Sequence, residues 1–244
     1  MPQPIPFIVP FYKNQEQLDK CTAAIRAQTV PTEPWIQDNN VNNLYYTKAE
    51  NVGLRAAVKA GCEFAICGTQ DVYMRPDCVE ALVQCMRDHP RCGIAGPKQL
   101  LASNEDVIVH AGGTIVYPAG HHHGGLVSRG DGAKSAKMAW VNGALMFVRI
   151  EAMLEFGIMD ENMLMLGSDS DWCYSARARN WEVWYCAESV CLHEVGVSNR
   201  GGSPELVKIF QNDMGYFRDK WIGSALFARL ATEFAFADPN ANRR

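Results

Sequence analysis

Three short polar clusters stand out near the start of this chain: Pro10-Phe11-Tyr12, Asp38-Asn39-Asn40 and Thr69-Gln70-Asp71. Each follows directly on a short apolar run. A fourth cluster, Ser168-Asp169-Ser170-Asp171, opens a segment with helical spacing. Carboxylates of this kind can hold a hard cation beside phosphate oxygens, or take the proton of an attacking hydroxyl. Two residues of separation at a helix start cannot put Asp169 and Asp171 on the same side, so they divide such work between them. His193 ends an apolar run, and His121-His122-His123 form a triplet. Three consecutive imidazoles cannot all face one ion; they read as a solvated loop or as the lining of a cleft. Other chemistries lack their motifs. No G-x-G-x-x-G follows the first apolar run, no G-x-x-x-x-G-K-[ST] occurs, and no G-x-S-x-G occurs. Catalysis therefore falls to carboxylates and histidines.

The elements that carry these clusters alternate strand and helix. Ile5 to Val9 reads as a buried strand, and Leu18, Cys21 and Ile25 place an amphipathic helix over Asn14 to Ala27. Pro31 and Pro34 end it, and Trp35 to Gln37 is a short second strand. Gly53 to Ala60 is a short helix capped by Gly61. Phe64 to Cys67 is a third strand, Pro76 opens a helix with Val79, Leu82, Val83 and Met86 on one face, and Cys92 to Ala95 is a fourth strand. This is the signature of βαβ units and a largely parallel sheet, whose ligands sit beyond the C-terminal strand ends. The first three polar clusters lie at such ends.

Residues 97 to 137 are rich in Gly, His and Ser and read as a long irregular insertion with short strands. Val141 to Val148 returns to strand composition, Ile150 to Phe156 is a helix stopped by Gly157, and Asp169 to Arg179 is a further helix. Glu182 to Tyr185 and Val190 to Leu192 read as two short strands. Leu206, Ile209, Phe210, Met214, Phe217 and Trp221 make a long amphipathic helix. Its apolar face is expected either to pack across the second half of the chain or to pair with a second copy in a homodimer. No repeat or linker interrupts the sequence, so one domain is expected over 1–244.

Of 244 residues, 48% are apolar and 20% charged, an ordinary globular balance. No run approaches the length of a membrane helix, and no signal peptide is visible. The net charge of −4 lacks the overall footprint of a nucleic-acid binder. Nine scattered cysteines with no C-x2-C pair read as free buried thiols and place the protein in the cytoplasm.

In their order along the chain, these features resemble a family 2 glycosyltransferase of GT-A fold, inverting and dependent on a nucleotide sugar. Val9-Pro10-Phe11-Tyr12-Lys13-Asn14 through Ala27-Gln28-Thr29 is similar to the family's first strand, helix and "QT" terminus. Gln37-Asp38-Asn39-Asn40 resembles its "VDNxS" loop, and Asn51-Val52-Gly53 its "NxG" helix start. Cys67 to Val72 lies where the family carries a D-x-D strand end. Val141-Asn142-Gly143 to Arg149 resembles the acceptor-side segment, Ser168-Asp169-Ser170-Asp171-Trp172-Cys173 the "EDxDLC" run, and Val190-Cys191-Leu192-His193 the closing "vxH". The resemblance spans about residues 5 to 200.

It implies a Rossmann-like, mostly parallel sheet flanked by helices, with a C-terminal helical extension. Residues 1–96 would form the nucleotide-sugar half, 97–200 the acceptor half, and 201–244 a loop and helix. The donor, most readily UDP-linked, would meet Pro10, Tyr12, Asp38, Asn39, Asn51, Arg55, Gln70, Asp71 and Arg200, with Asp38 at the base and Arg200 on a loop over the diphosphate. Asp71 and His193 would hold Mn2+ or Mg2+. Asp169 would be the general base, kept ionised by the helix N-terminus, with Asn142, Gly143 and Asp171 on the acceptor side. The acceptor hydroxyl is of open class: glycan, lipid-linked sugar, protein side chain or modified nucleic-acid base. Two departures, Thr69 and Ser168, stand where the family has acids. They keep a rival reading open, a GT-A-like binding module without turnover.

Overall fold

The computed structural model describes residues 3–114, 121–122, 124–195 and 203–234. Its strands are β1 (Ile5–Phe11), β2 (Thr32–Asp38), β3 (Phe64–Gly68), β4 (Val72–Met74), β5 (Cys92–Leu101) and β6 (Asn104–His110). They continue with β7 (Gly113–Thr114), β8 (His121–His122), β9 (Gly125–Leu126), β10 (Ala136–Met138), β11 (Leu145–Arg149) and β12 (Glu182–His193). The helices are α1 (Gln15–Arg26), α2 (Tyr45–Ala60), α3 (Cys78–Asp88), α4 (Ile150–Phe156), α5 (Ser168–Ala178), α6 (Pro204–Trp221) and α7 (Ala225–Phe234).

The main sheet runs β10-β12-β5-β11-β3-β1-β2, with β4 added to β12 and the β6–β9 pair added to β5. β2, β1 and β3 are parallel, as are β5 and β12. β11 lies between β3 and β5 and runs antiparallel to both. The sheet is thus mostly parallel at its core, with one reversed central strand that the alternating pattern does not show. One face packs against α1 and α3 through Leu18, Cys21, Ile25, Val79, Leu82 and Met86. The other packs against α2, α4 and α5, with Leu54, Met153 and Trp172 in its core.

Several elements are longer than local pattern predicts. α2 starts at Tyr45, two turns ahead of Gly53, because its first turns are held from outside: the Tyr46 and Thr47 N–H groups donate to Leu164 O at 3.2 and 3.1 Å. Gly61 caps it in the left-handed conformation, φ 71°, as expected. The two short strands expected over Glu182 to Leu192 are one strand, with an irregularity between Cys186 and Val190 that conceals its continuity. Pro34 lies inside β2, tolerated because β2 is the sheet edge. The strand expected from Val141 starts at Leu145, after a turn. The Cys92 strand extends to Leu101, so the insertion expected from residue 97 is in part regular sheet. α4 ends at Phe156 before Gly157, as its composition dictates.

α6 and α7 fold back on the chain itself. Phe217, Trp221, Leu230 and Phe234 are buried in the same core as Trp172 and Tyr174. Tyr174 meets Phe217 and Trp221 at 5.6 Å between ring centroids. The apolar face of the C-terminal helix is therefore used within the chain. All nine cysteines are buried free thiols. No helix among the described residues is long and apolar enough to cross a membrane.

Candidate active site

Parallel pairing in β2-β1-β3 brings the first three polar clusters to one edge of the sheet. Phe11 is level with Asp38, and Ile8 with Cys67. Gly68 ends β3 where a Cβ would strike the Phe7 ring at 2.5 Å and Ala144 O at 2.9 Å, so the chain leaves the sheet there without a side chain. Thr69 N–H then donates to Ala144 O at 3.0 Å, which ties this exit to the 142–144 turn.

Asp71 is 7% exposed. β4 pairs with the end of β12 so that His193 lies opposite Val72, next to Asp71. His193 Nε2 is 3.7 Å from Asp71 Oδ2. That is longer than a hydrogen bond but close enough for a carboxylate and an imidazole to share one cation. The Thr69 hydroxyl donates to Asp71 Oδ1. Thr69 thus orients the carboxylate where the family pattern places a second acid. Burial alone would raise the Asp71 pKa, but His193, Thr69 and its own backbone N–H outweigh it and hold the carboxyl below its ordinary value. On its other side, His193 Nδ1 lies 3.1 Å from Gln99 Oε1. No group of three or more His, Cys, Asp or Glu side chains forms a metal cage among the described residues. An ion at Asp71 and His193 would take its remaining ligands from phosphate and water, a set that suits Mn2+ or Mg2+.

The neighbouring polar residues shape the cleft. Gln70 accepts from Tyr12 N–H at 2.7 Å and donates to Tyr12 O at 3.2 Å, clamping the loop after β1, where Lys13 has φ 63°. Tyr12 itself is 42% exposed. Pro10 lies in β1 beside Gln37. Asp38 is exposed and turns its own loop, accepting from Asn40 N–H at 2.8 Å through Oδ1. Asn39 is buried and donates to Tyr45 O at 3.0 Å, tethering this loop to α2.

Asn51 and Arg55, expected on the donor side, are turned elsewhere. Asn51 is fully buried; its amide donates to Met159 O at 2.8 Å and accepts from Met159 N–H at 3.1 Å. Arg55 pairs with Glu161 at 2.8 Å. Both hold α2 to the 159–161 segment, because the helix phase that buries Leu54 and Ala57 carries them there. Arg200 and His123 lie outside the described residues, as do the side chains of His121 and His122.

Asp169 lies in the first turn of α5. Its Oδ2 accepts from Gly143 N–H at 2.9 Å and its Oδ1 from Ser170 N–H at 2.7 Å. A Cβ on Gly143 would lie 3.0 Å from Tyr46 Oη and 3.1 Å from Asp169 Cβ, so glycine permits this approach. Contrary to the expectation from the helix N-terminus, the Asp169 carboxyl is pushed above its ordinary pKa: burial outweighs the Gly143 and Ser170 hydrogen bonds. Such a carboxylate is a stronger base than a solvated one. Asp171 is 1% exposed and faces away, accepting from Trp221 Nε1 at 2.7 Å and Lys220 Nζ at 2.8 Å. It anchors α6 to α5.

Other residues that hold the site gave no signal in sequence. Tyr46 donates from its hydroxyl to Gly143 O at 2.7 Å, and buried His110 accepts from Asn142 N–H at 3.1 Å, so the turn before β11 is fixed from two sides. Asp213 of α6 accepts the N–H groups of Leu164, Met165 and Leu166, which sets the entry to α5.

The sequence matches no protein-family model and no curated protein. Its structure is similar to that of GalNAc-T7 with UDP, GalNAc and Mn2+, with a TM-score of 0.67 at 11% identity over 91% of this chain. It is also similar to the mannosyltransferase PcManGT from Pyrobaculum calidifontis in complex with GDP-Man and Mn2+, with a TM-score of 0.56 at 14% identity over 99% of this chain. The chain has the GT-A fold. It spans 48% of the GalNAc-T7 chain and 78% of the mannosyltransferase chain. The α/β class, the sheet flanked by helices and the C-terminal helical extension are those that the motif order implies.

Proposed function

We propose that this chain is a metal-assisted, inverting glycosyltransferase that uses a nucleotide sugar, UDP-linked by preference, with Asp169 as general base. The observation that carries the reading is the meeting of two arrangements at one sheet edge. Asp71 and His193 face each other there, and the Thr69–Ala144 hydrogen bond joins them to the turn whose Gly143 N–H holds Asp169. Both structural neighbours named above were solved with Mn2+ and a nucleotide or nucleotide sugar, which supports the same use here.

In this reading Tyr12 and Asp38 line the base and ribose of the donor, and Gln70 and Asn39 keep their loops in shape. Asp71 and His193 would hold the divalent ion, which when bound offsets the charge of the departing diphosphate. Asp169 takes the proton of the acceptor hydroxyl as that oxygen attacks the anomeric carbon. Its raised pKa strengthens it for that step, and the Gly143 and Ser170 N–H groups hold the carboxylate in one orientation. Asp171, spent on Trp221 and Lys220, has no part in proton transfer. The single domain over 1–244 and the cytoplasmic setting belong to the same proposal.

The test is a hydrolysis screen of UDP-, GDP- and dTDP-sugars with and without Mn2+. Release of UDP that requires Mn2+ is the expected result. A protein that binds nucleotide sugars yet turns over none, with or without metal, would instead favour a binding module.

A further inference from the structure

Gln99 is a polar residue at a position where the sheet needs none. It sits fully buried on β5, between Cys191 of β12 and His110 of β6. Its Oε1 meets His193 Nδ1 at 3.1 Å, while its Nε2 has no hydrogen-bond partner. A buried amide left half-unpaired costs stability, and a methionine or leucine would fill the same space without that cost. What glutamine alone provides is an acceptor aimed at one ring nitrogen. An amide oxygen only accepts, so the contact keeps a proton on Nδ1 and leaves Nε2, which faces Asp71, as the nitrogen open to an ion. The reversed amide would set an N–H2 group against Nδ1, move the ring proton to Nε2 and bury an unpaired carbonyl oxygen instead.

We propose that Gln99 is a positioning residue for the metal site, fixing the ring and the protonated nitrogen of His193 so that the Nε2 lone pair and the Asp71 carboxylate share one ion. The inference rests on the metal reading above. Groups that hold the second nitrogen of a metal-bound histidine typically govern affinity by about 10–100-fold. The role asks nothing of Gln99 toward nucleotide or acceptor.

The experiment compares the parent protein with Gln99→Met, Gln99→Leu, Gln99→Glu and His193→Ala. Calorimetry measures Mn2+ affinity in the presence of UDP, and pulsed EPR of bound Mn2+ detects the imidazole nitrogen. Gln99→Met and Gln99→Leu should weaken Mn2+ binding by about 10–100-fold and diminish the nitrogen signal, with metal-free UDP binding unchanged. Gln99→Glu, which keeps an acceptor, should restore both. If Gln99→Met or Gln99→Leu, shown folded by a melting curve, binds Mn2+ as the parent does with a full nitrogen signal, the proposal is overturned. It is overturned equally if Gln99→Glu behaves like Gln99→Met. Loss of affinity and signal in His193→Ala alone would leave the metal reading standing without Gln99. No loss in His193→Ala would sink the metal reading itself.

Discussion

Replacing Asp169 and Asp171 one at a time by asparagine separates chemistry from architecture. Asp169→Asn keeps one oxygen to accept from Gly143 or Ser170, and sets an amide N–H2 against the other donor. One lost hydrogen bond costs about 1–3 kcal/mol. Against that loss, the carboxylate is already held above its ordinary pKa by burial, so the neutral amide escapes a desolvation penalty. The net change in stability should be small. The effect on rate should not be, because removing a general base costs about 10²–10⁴-fold. Asp171→Asn has the opposite profile. The charge removed accepts from Trp221 Nε1 and Lys220 Nζ at 2.7 and 2.8 Å, in a site 1% exposed. Hydrogen bonds to a charged group are worth about 1.5–3 kcal/mol, and Lys220 retains Asp160 at 2.8 Å, so a loss of about 2 kcal/mol is expected. For a chain of this size that lowers the melting temperature by about 4–8 °C. The assay is single-turnover release of UDP from the active nucleotide sugar, run beside UDP calorimetry and a melting curve for each variant. Asp169→Asn should be slow, folded and normal in UDP affinity; Asp171→Asn should be less stable but near normal per folded molecule. A dead, well-folded Asp171→Asn beside an active Asp169→Asn would refute the base assignment.

Three further outcomes follow from the same geometry. Asp71→Asn or EDTA should abolish UDP release and weaken Mn2+ binding in the presence of UDP; full activity in both cases would remove the metal from the reaction. Asp38→Ala should cost UDP binding about 1–3 kcal/mol by calorimetry, as for a hydrogen bond to a charged group, and equal affinity of the parent for UDP and GDP would contradict a base-reading Asp38. Glu50 is fully buried, neither carboxyl oxygen meets hydrogen-bond geometry although the Cys67 thiol and Gly68 N–H lie beside it, and burial pushes its pKa well above the ordinary value. The folded state then binds the extra proton, so stability falls as pH rises from the unfolded-state pKa, about 4.3, toward the raised folded one. Glu50→Gln should remove that slope, about 1.4 kcal/mol per pH unit, and gain on the parent in denaturant melts at rising pH; a difference constant with pH would refute it.

Much of this protein was legible without coordinates, and for a physical reason. Local rules act within a few residues: Gly157 stops α4, Gly61 caps α2, and the spacing of Leu18, Cys21 and Ile25 phases α1. Polar clusters after apolar runs mark strand ends, and parallel pairing then must gather them, which is why Tyr12, Asp38 and Asp71 could be placed at one edge. The tertiary structure decided what depends on partners remote in sequence. It reversed β11 inside the sheet, since a short apolar strand carries no mark of its direction. It extended α2 to Tyr45 through Leu164, turned Asn51 and Arg55 to the 159–161 segment, and folded α6 and α7 onto Tyr174. It also set the balance at the two key carboxylates. Asp71 and Asp169 are the same residue type, yet His193 lowers the first and burial raises the second. Composition names the groups, but desolvation and neighbouring charge exist only once strands about 120 residues apart lie side by side.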